Sequence, residues 1–162
     1  MQASDFVHLH VHSDFSLLDG VAQIPKLVKR TAECGQKAIA LTDHGTVSGS
    51  VAFFKDAQKA EVKPILGCEV YLSLSGMRER VKGYNHLTIL AKDDAGWRNL
   101  SRLSSVANLE GFYFRPRIDW DTLVLHKEGL IVLSGCLKGP ISEPLIAGDY
   151  ELARKTAIKF RA

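Results

Sequence analysis

Short apolar runs rich in branched residues alternate with helical patterns along the chain. Strands are predicted at residues 6–11, 38–41, 63–66, 69–74, 86–90 and 130–133. Helices are predicted at residues 24–33, 50–59 and 93–107. This alternation is typical of an α/β fold with a largely parallel sheet. The pattern leaves open whether the strands form an open sheet or an unfinished barrel, because a full (β/α) barrel typically needs about 250 residues.

The composition is that of a folded, soluble protein. Hydrophobic residues make up 46% and charged residues 24% of the 162 residues, which argues against disorder. No apolar run approaches the roughly 18 to 20 residues of a membrane span, and the N-terminus lacks the features of a signal peptide. We therefore expect a cytoplasmic protein without membrane association. The net charge of +3 is too mild to indicate nucleic-acid binding by itself.

The cysteines and the last residues add two expectations. Cys34, Cys68 and Cys136 are widely spaced and odd in number, which favours reduced thiols over a disulfide framework. The sequence closes in DYELARKTAIKFRA, an amphipathic helical pattern without a stop signal. We therefore expect a fragment of a longer chain.

Three histidines occupy alternate positions in the first predicted strand, HLHVHS. Alternate residues of a strand point to the same face, so His8, His10 and His12 are predicted to share one face. Imidazoles at this spacing can bind one metal ion or bridge two adjacent ions. Exposed histidines on an edge strand would give the same pattern, so both interpretations stay open.

Two further motifs follow apolar strands. TDHG lies where α/β folds place functional groups, and it either presents His44 or forms an ordinary turn in which Thr42 or Asp43 caps the next helix. In GCEVYL, Glu69 lies among apolar residues, where a carboxylate is costly to bury unless it is paired or bound to a metal. Cys68 faces the opposite side of the strand and is predicted to lie in the core.

Two later motifs add a histidine and a thiol. His86 opens the strand in NHLTIL, and Cys136 lies in the glycine-flanked loop of LSGCLKG. Alone, a surface histidine and an inert thiol explain them as well. Together with Asp19 of LLDG, these residue types suit zinc, manganese or iron. Such metals polarise phosphoryl groups and activate water, which indicates a metal-dependent hydrolase of phosphoesters.

In this order the motifs resemble the polymerase and histidinol phosphatase (PHP) family. The stretches GWRNLSRLSS and GFYFRPRID narrow the resemblance to the PHP domains of C-family bacterial replicative DNA polymerases. The resemblance implies a distorted (β/α)7 barrel, truncated before its last strands, with two or three divalent metals (zinc, manganese or iron). The ligands that it implies are His10, His12, Asp19, His44, Glu69, His86 and Cys136. His8 stands where the family often has aspartate and is left out, and the family's final D-x-H is absent from the 162 residues.

The resemblance also implies a function and a setting. Residues 1–162 would form a single PHP domain, the N-terminal fragment of a longer polymerase chain, with 3′–5′ exonuclease chemistry in the parent protein. Polymerase catalysis would lie outside this chain, and the incomplete ligand set makes an inactive fragment an open outcome. The implied partners are DNA, the remainder of the polymerase chain and other replicase subunits.

Alternatives remain for both the DNA contacts and the function. Arg115 and Arg117 of GFYFRPRID are candidates for binding DNA, although solvated loop charge explains them equally well. The alternative functions are a stand-alone phosphoesterase of a small phosphorylated metabolite and a non-catalytic, metal-binding structural domain. The full-length sequence would separate the polymerase domain from the stand-alone phosphoesterase, and metal analysis with an exonuclease assay would separate it from the structural domain.

Overall fold

The computed structural model describes residues 5–160, which form five strands and six helices. The strands are β1 (Ala38–Leu41), β2 (Lys63–Ser73), β3 (Tyr84–Ala91), β4 (Arg117–Ile118) and β5 (Leu130–Leu133). The helices are α1 (Ile24–Glu33), α2 (Ser50–Lys59), α3 (Asp94–Leu109), α4 (Trp120–Leu125), α5 (Ser142–Ile146) and α6 (Tyr150–Lys159). The α/β class predicted from the sequence is confirmed.

The sheet is mixed and not largely parallel. Its order is β1-β2-β3-β5, with β4 also paired to β2. Strands β1 and β4 run parallel to β2, whereas β3 is antiparallel to both β2 and β5. The expectation of a largely parallel sheet is wrong because no helix separates β2 from β3, and parallel neighbours need a long crossover. Within residues 5–160 the sheet stays open between β1 and β5, consistent with a partial α/β barrel.

Strand β2 is continuous through Gly67, where the apolar pattern predicts two separate strands. A Cβ atom at Gly67 would lie 2.7 Å from the carbonyl oxygen of Ile89, so the adjacent strand approaches closely there. Glycine permits this approach without a break in the ladder. The first part of β2 pairs with β1 and the second part with β3, so β2 joins the two halves of the sheet.

Residues 6–11 do not form the regular strand that their pattern predicts. Their β-pairing is limited to one bridge between His8 and Ile39. The hydroxyl of Thr42 accepts a hydrogen bond from the backbone N–H of Val11 at 2.8 Å. The Thr42 side chain thus takes the place of one ladder partner, while Ala40 N and Thr42 N donate to the carbonyl oxygens of His8 and Val11 and keep the segment beside β1.

The three predicted helices are confirmed and cover the sheet. Helix α3 begins after Asp93, whose carboxylate accepts a hydrogen bond from Gly96 N at 2.9 Å. Helices α1 and α2 pack on β1 around buried Ile24, Val28, Ile39, Leu41, Phe53, Ala57 and Val62. A second core joins α3, β2 and β3 around Cys68, Val70, Leu72, Leu87, Ile89, Leu100, Leu103 and Ala107. No helix within residues 5–160 combines the length and apolar character that crossing a bilayer requires.

Candidate metal centre

Four imidazoles converge on Glu69, which lies within β2 and whose side chain is 3% exposed. Oε2 of Glu69 lies 2.7 Å from Nε2 of His10 and 2.9 Å from Nε2 of His12. The same oxygen lies 3.4 Å from Nδ1 of His44, while Nδ1 of His86 contacts Oε1. The donor atoms form two groups that share Glu69, one with His10 and His12 and one with His44 and His86.

The electrostatics of the centre are set by one buried carboxylate. Burial alone would raise the pKa of Glu69, but hydrogen bonds with His10, His12 and His86 outweigh it and hold that pKa well below its usual range. The hydrogen bond to Glu69 raises the pKa of His12 against desolvation. Burial lowers the pKa of His44 despite the nearby Glu69 charge. The centre therefore combines a fixed negative charge with a neutral His44 imidazole at neutral pH.

The donor atoms fit divalent metal ions. Nδ1 of His44 is buried and has no hydrogen-bond partner among residues 5–160, which is costly unless a cation lies against its lone pair. The Nε2 atoms of His10 and His12 lie 3.0 Å apart. Ligands around a tetrahedral ion, with bonds of about 2.0 to 2.1 Å, lie roughly 3.3 Å apart. Imidazole and carboxylate donors suit zinc, manganese and iron.

Asp19 lies at the rim of the centre because its loop closes tightly. A Cβ atom at Gly20 would lie 1.8 Å from the carbonyl oxygen of Ser13, so only glycine permits this closure. The closed loop places Oδ2 of Asp19 3.1 Å from Nε2 of His44. When Nε2 of neutral His44 donates to Asp19, its Nδ1 presents a lone pair to the centre.

A hydrogen-bonded group of three buried polar residues adjoins His12 and His44. The Asp43 carboxylate accepts hydrogen bonds from Ser13 N at 2.6 Å, Ser13 Oγ at 2.8 Å and Ser16 Oγ at 2.8 Å. Oγ of Ser16 also lies 3.1 Å from Nδ1 of His12 and accepts from His44 N at 3.1 Å. Because the Ser16 proton goes to Asp43, Nδ1 of His12 donates to Ser16, and Nε2 is the ring nitrogen that faces Glu69.

The supporting role of Ser13, Ser16 and Asp43 is absent from the sequence interpretation. TDHG suggests that Thr42 or Asp43 caps the following helix, but α2 begins at Ser50 without a side-chain cap. Asp43 is 2% exposed and turns toward the serines. The only signal in the sequence is the S-x-x-S spacing of Ser13 and Ser16 next to the histidines, and serines are common in exposed loops.

The two cysteines singled out above lie in different environments. Cys68 is 1% exposed in the core, as predicted, and burial raises the pKa of its thiol to about 12. Cys136 is exposed and falls in neither group of donor atoms, and its Sγ accepts a hydrogen bond from Lys138 N at 3.4 Å. Its loop nevertheless adjoins the centre, since His86 N donates to Lys138 O at 3.0 Å. A thiolate ligand at Cys136 stays a prediction.

The two arginines predicted to bind DNA differ in their burial and in the contacts of their guanidinium groups. Arg117 is 1% exposed, and its guanidinium donates hydrogen bonds to the carbonyl oxygens of Met77, Glu79, Val81 and Gly111. The DNA contact predicted for Arg117 is therefore wrong, because its donors are used inside the protein. Arg115 lines a cleft beside the centre, with its guanidinium 5.9 Å from the ring centre of Tyr71. Its DNA contact stays a prediction.

An open cleft of about 590 Å³ lies in front of His44 and His86. Asp19, Tyr84 and Lys138 also line it. An α/β sheet that gathers four imidazoles and two carboxylates beside such a cleft defines a candidate metal-dependent hydrolase.

The chain belongs to the PHP domain family, whose pattern its residues 8–162 match. It is 44% identical over 163 residues to DNA polymerase III subunit alpha of Borreliella burgdorferi. It is 46% identical over 169 residues to the protein of that name in Aquifex aeolicus, and 46% over 156 residues to that of Thermus aquaticus. These alignments cover 98%, 98% and 91% of this chain but 14%, 15% and 13% of the relatives. The chain therefore spans about one seventh of their length.

Two solved structures show a more distant likeness. An amidohydrolase from Chromobacterium violaceum matches with a TM-score of 0.45 and 23% identity, over 62% of this chain and 34% of that chain. A Bifidobacterium adolescentis protein assigned as a metal-dependent phosphoesterase matches with a TM-score of 0.43 and 18% identity, over 96% of this chain and 54% of that chain. Family membership rests on the sequence match alone.

Proposed function

We propose that this chain is a metal-dependent phosphodiesterase domain that removes nucleotides from a DNA 3′ end. The observation that carries the proposal is the convergence of four imidazoles on ionised Glu69, with Nδ1 of His44 buried and unpartnered. Carboxylate and imidazole donors beside an open cleft are the components of metal-assisted phosphoester hydrolysis.

The proposed setting is bacterial DNA replication. In it, residues 1–162 form a single PHP domain at the N-terminus of a longer polymerase chain. The support is the identity of 44% to 46% with DNA polymerase III subunit alpha of three bacteria. The proposed partners are DNA, the remainder of the polymerase chain and other replicase subunits, in the cytoplasm.

The proposed ligands divide between the two donor groups and the rim. His10, His12 and Glu69 would hold one divalent ion, and His44, Glu69 and His86 a second. Asp19 at the rim and Cys136 in the adjoining loop are the proposed further ligands. Bound zinc, manganese or iron would supply Lewis-acid activation of water and of the phosphoryl group.

The protein's own residues prepare the centre for this chemistry. Glu69 stays ionised and attracts cations. Nδ1 of His12 donates to Ser16 and Nε2 of His44 donates to Asp19, so the other nitrogen of each ring, which faces Glu69, is the one that would bind a metal ion. The lowered pKa of His44 keeps its imidazole neutral at neutral pH. Arg115 in the cleft is available to attract the phosphate of a DNA strand.

The test is release of nucleotides from a 3′-labelled primer by the manganese-loaded chain. We expect shortening from the 3′ end, reduced to background in His12→Ala and retained in His8→Ala, because His8 is exposed and packs on Phe6. A metal-loaded chain that leaves the primer intact but cleaves a small phosphate ester would indicate the metabolite phosphoesterase instead. Tight metal binding without either reaction would indicate a structural domain.

A further inference from the structure

Two cationic side chains, those of Arg115 and Lys138, line the cleft. Within residues 5–160, neither the Arg115 guanidinium nor the Lys138 ammonium has a carboxylate within ion-pair distance. By contrast, Arg30 is paired with Glu33 and Arg78 with Glu110. Unpaired cations lining a cleft next to a metal centre are suited to an anionic group of a ligand.

Aromatic rings lie next to these cations. The ring of Tyr84 meets that of Tyr71 edge-on, with centroids 4.9 Å apart, and stacks on His86 at 5.8 Å. The ring centre of Tyr71 lies 5.9 Å from the Arg115 guanidinium. Tyr84 is only half-buried, and its remaining surface borders the cleft. A fixed, partly exposed aromatic ring is suited to stacking with a planar apolar group.

The rim of the cleft is apolar. Leu17 is 88% and Leu18 76% exposed, and both line the cleft next to Asp19. Large apolar side chains exposed beside a charged centre indicate contact with an apolar part of a ligand. A ligand that complements this cleft therefore has an anionic part and a flat, apolar part.

We propose that the cleft is a subsite for the terminal nucleotide of a single DNA strand. Its phosphate faces Arg115 and Lys138, and its base lies against Tyr84 beneath the leucine rim. This inference rests on the proposed function and names the substrate of the same centre. The volume of about 590 Å³ suits one nucleotide-sized ligand, and a terminal base enters such a pocket only after leaving the duplex stack. Inorganic phosphate or a sugar phosphate would leave Tyr84 and the leucines without a role.

The experiment measures equilibrium binding and does not depend on hydrolysis. A 5′-fluorescein oligothymidylate with a terminal phosphorothioate linkage, which slows cleavage, is titrated with the manganese-loaded chain, and its intact length is checked by electrophoresis. The comparison probes are the same strand with an abasic last residue and a blunt duplex. We expect the natural strand to bind about fivefold or more tightly than either comparison probe, because base stacking is lost in both.

Variants of Arg115 and Tyr84 test the phosphate-binding part and the base-binding part of the subsite separately. Arg115→Gln is expected to weaken the natural and abasic strands equally and to reduce the salt dependence of binding by about 0.7 in the log–log slope. Tyr84→Leu is expected to remove the preference for the natural strand, while Tyr84→Phe retains it. The control Arg30→Gln, on α1 outside the cleft, leaves binding unchanged.

The outcomes distinguish the subsite from the proposed function. Equal binding of the three probes by the unmodified chain would overturn the subsite, whatever the folding of the variants. An Arg30→Gln effect as large as that of Arg115→Gln would also overturn it, because it would indicate diffuse charge attraction. Base-dependent binding without hydrolysis would support the subsite while the proposed function fails. Hydrolysis of the primer without a preference for the base would support the proposed function while the subsite proposal fails.

Discussion

Oγ of Ser16 lies 2.8 Å from Oδ1 of Asp43, and each residue is only 2% exposed. This hydrogen bond commits the serine proton to the carboxylate. The lone pairs of Ser16 are then available to Nδ1 of His12 and to the backbone N–H of His44, both at 3.1 Å. The Ser16 hydroxyl therefore orients the side chain of His12 in one donor group and the backbone of His44 in the other.

Ser16→Ala is expected to lower metal affinity by about 10-fold or more, the effect of losing a partner that orients a histidine ligand. Apo stability should also fall, by about 1 to 3 kcal/mol, because Asp43 and His12 lose a buried partner. Ser13→Ala is the matched control, since Ser13 Oγ donates to Asp43 while the partner of His12 Nδ1 is Ser16. Calorimetric metal titration and urea unfolding check both effects. Equal metal affinity in the two variants would contradict the role of Ser16.

Metal binding is expected to raise the melting temperature, and chelation to reverse the rise. A ligand at about 100 times its dissociation constant stabilises the folded state by about 2.7 kcal/mol. His10→Ala should lose most of this gain, because Nε2 of His10 lies 2.7 Å from Glu69 Oε2. His8→Ala, in the same segment but outside both donor groups, should retain it. Melting curves with and without manganese or zinc give the comparison, and equal gains in both variants would exclude His10 as a ligand.

Arg117→Gln is expected to destabilise the fold by roughly 3 kcal/mol or more, because four backbone carbonyls lose a buried charged donor. Arg115→Gln should change stability by less than about 1 kcal/mol, since within residues 5–160 the Arg115 guanidinium lies against the Tyr71 ring and has no ion pair. Urea unfolding of the two variants measures the difference. Similar stabilities would contradict the structural role of Arg117.

Asp119 is expected to make stability depend on pH. Burial would raise its pKa, but hydrogen bonds from Thr122 and from the backbone N–H of Met77 outweigh burial and hold the pKa below its ordinary value. Because the folded pKa is the lower one, ionised Asp119 stabilises the fold above the ordinary value of about 3.9. This contribution is lost as the pH falls through the folded value.

Asp119→Asn should therefore cost about 1 kcal/mol at neutral pH, and the cost should shrink toward about pH 3. The measurement is urea unfolding of both proteins across this range. Asp149→Asn serves as the control, because Asp149 caps α6 through one exposed hydrogen bond to Leu152 N. A cost for Asp119→Asn that does not change with pH would exclude a role for the charge.

Much of the fold follows from local patterns. Helices α1 and α2 occupy the predicted residues because their apolar positions and the early Pro25 agree with their packing. The direction of each strand could not be predicted, because it depends on whether the connection before it is a tight turn or a crossover to the other end of the sheet. The continuity of β2 depends on how closely Ile89 approaches Gly67, a distance that periodicity does not contain.

The sequence indicates the histidines and the carboxylate of the candidate site, but not the buried residues that hydrogen-bond to them. The histidines stand out because imidazoles at alternate positions are uncommon, and Glu69 because it interrupts an apolar strand. Ser16 and Asp43 look like ordinary loop residues until tertiary contacts show them buried. Arg117 shows the opposite error, since a basic loop motif suggests DNA while only the fold reveals that carbonyls surround its guanidinium.

The alternation along β2 has a consequence for folding. Glu69 faces the donor groups, while Cys68 and Val70 belong to the core on the other side. A slip of one residue against β3 would exchange these faces, burying the carboxylate among apolar side chains and presenting a thiol or a methyl group to the histidines. A metal ion that binds only the correct alignment would then stabilise properly paired molecules over misaligned ones. Metal binding to the centre would thus favour the correct register of β2 against β3.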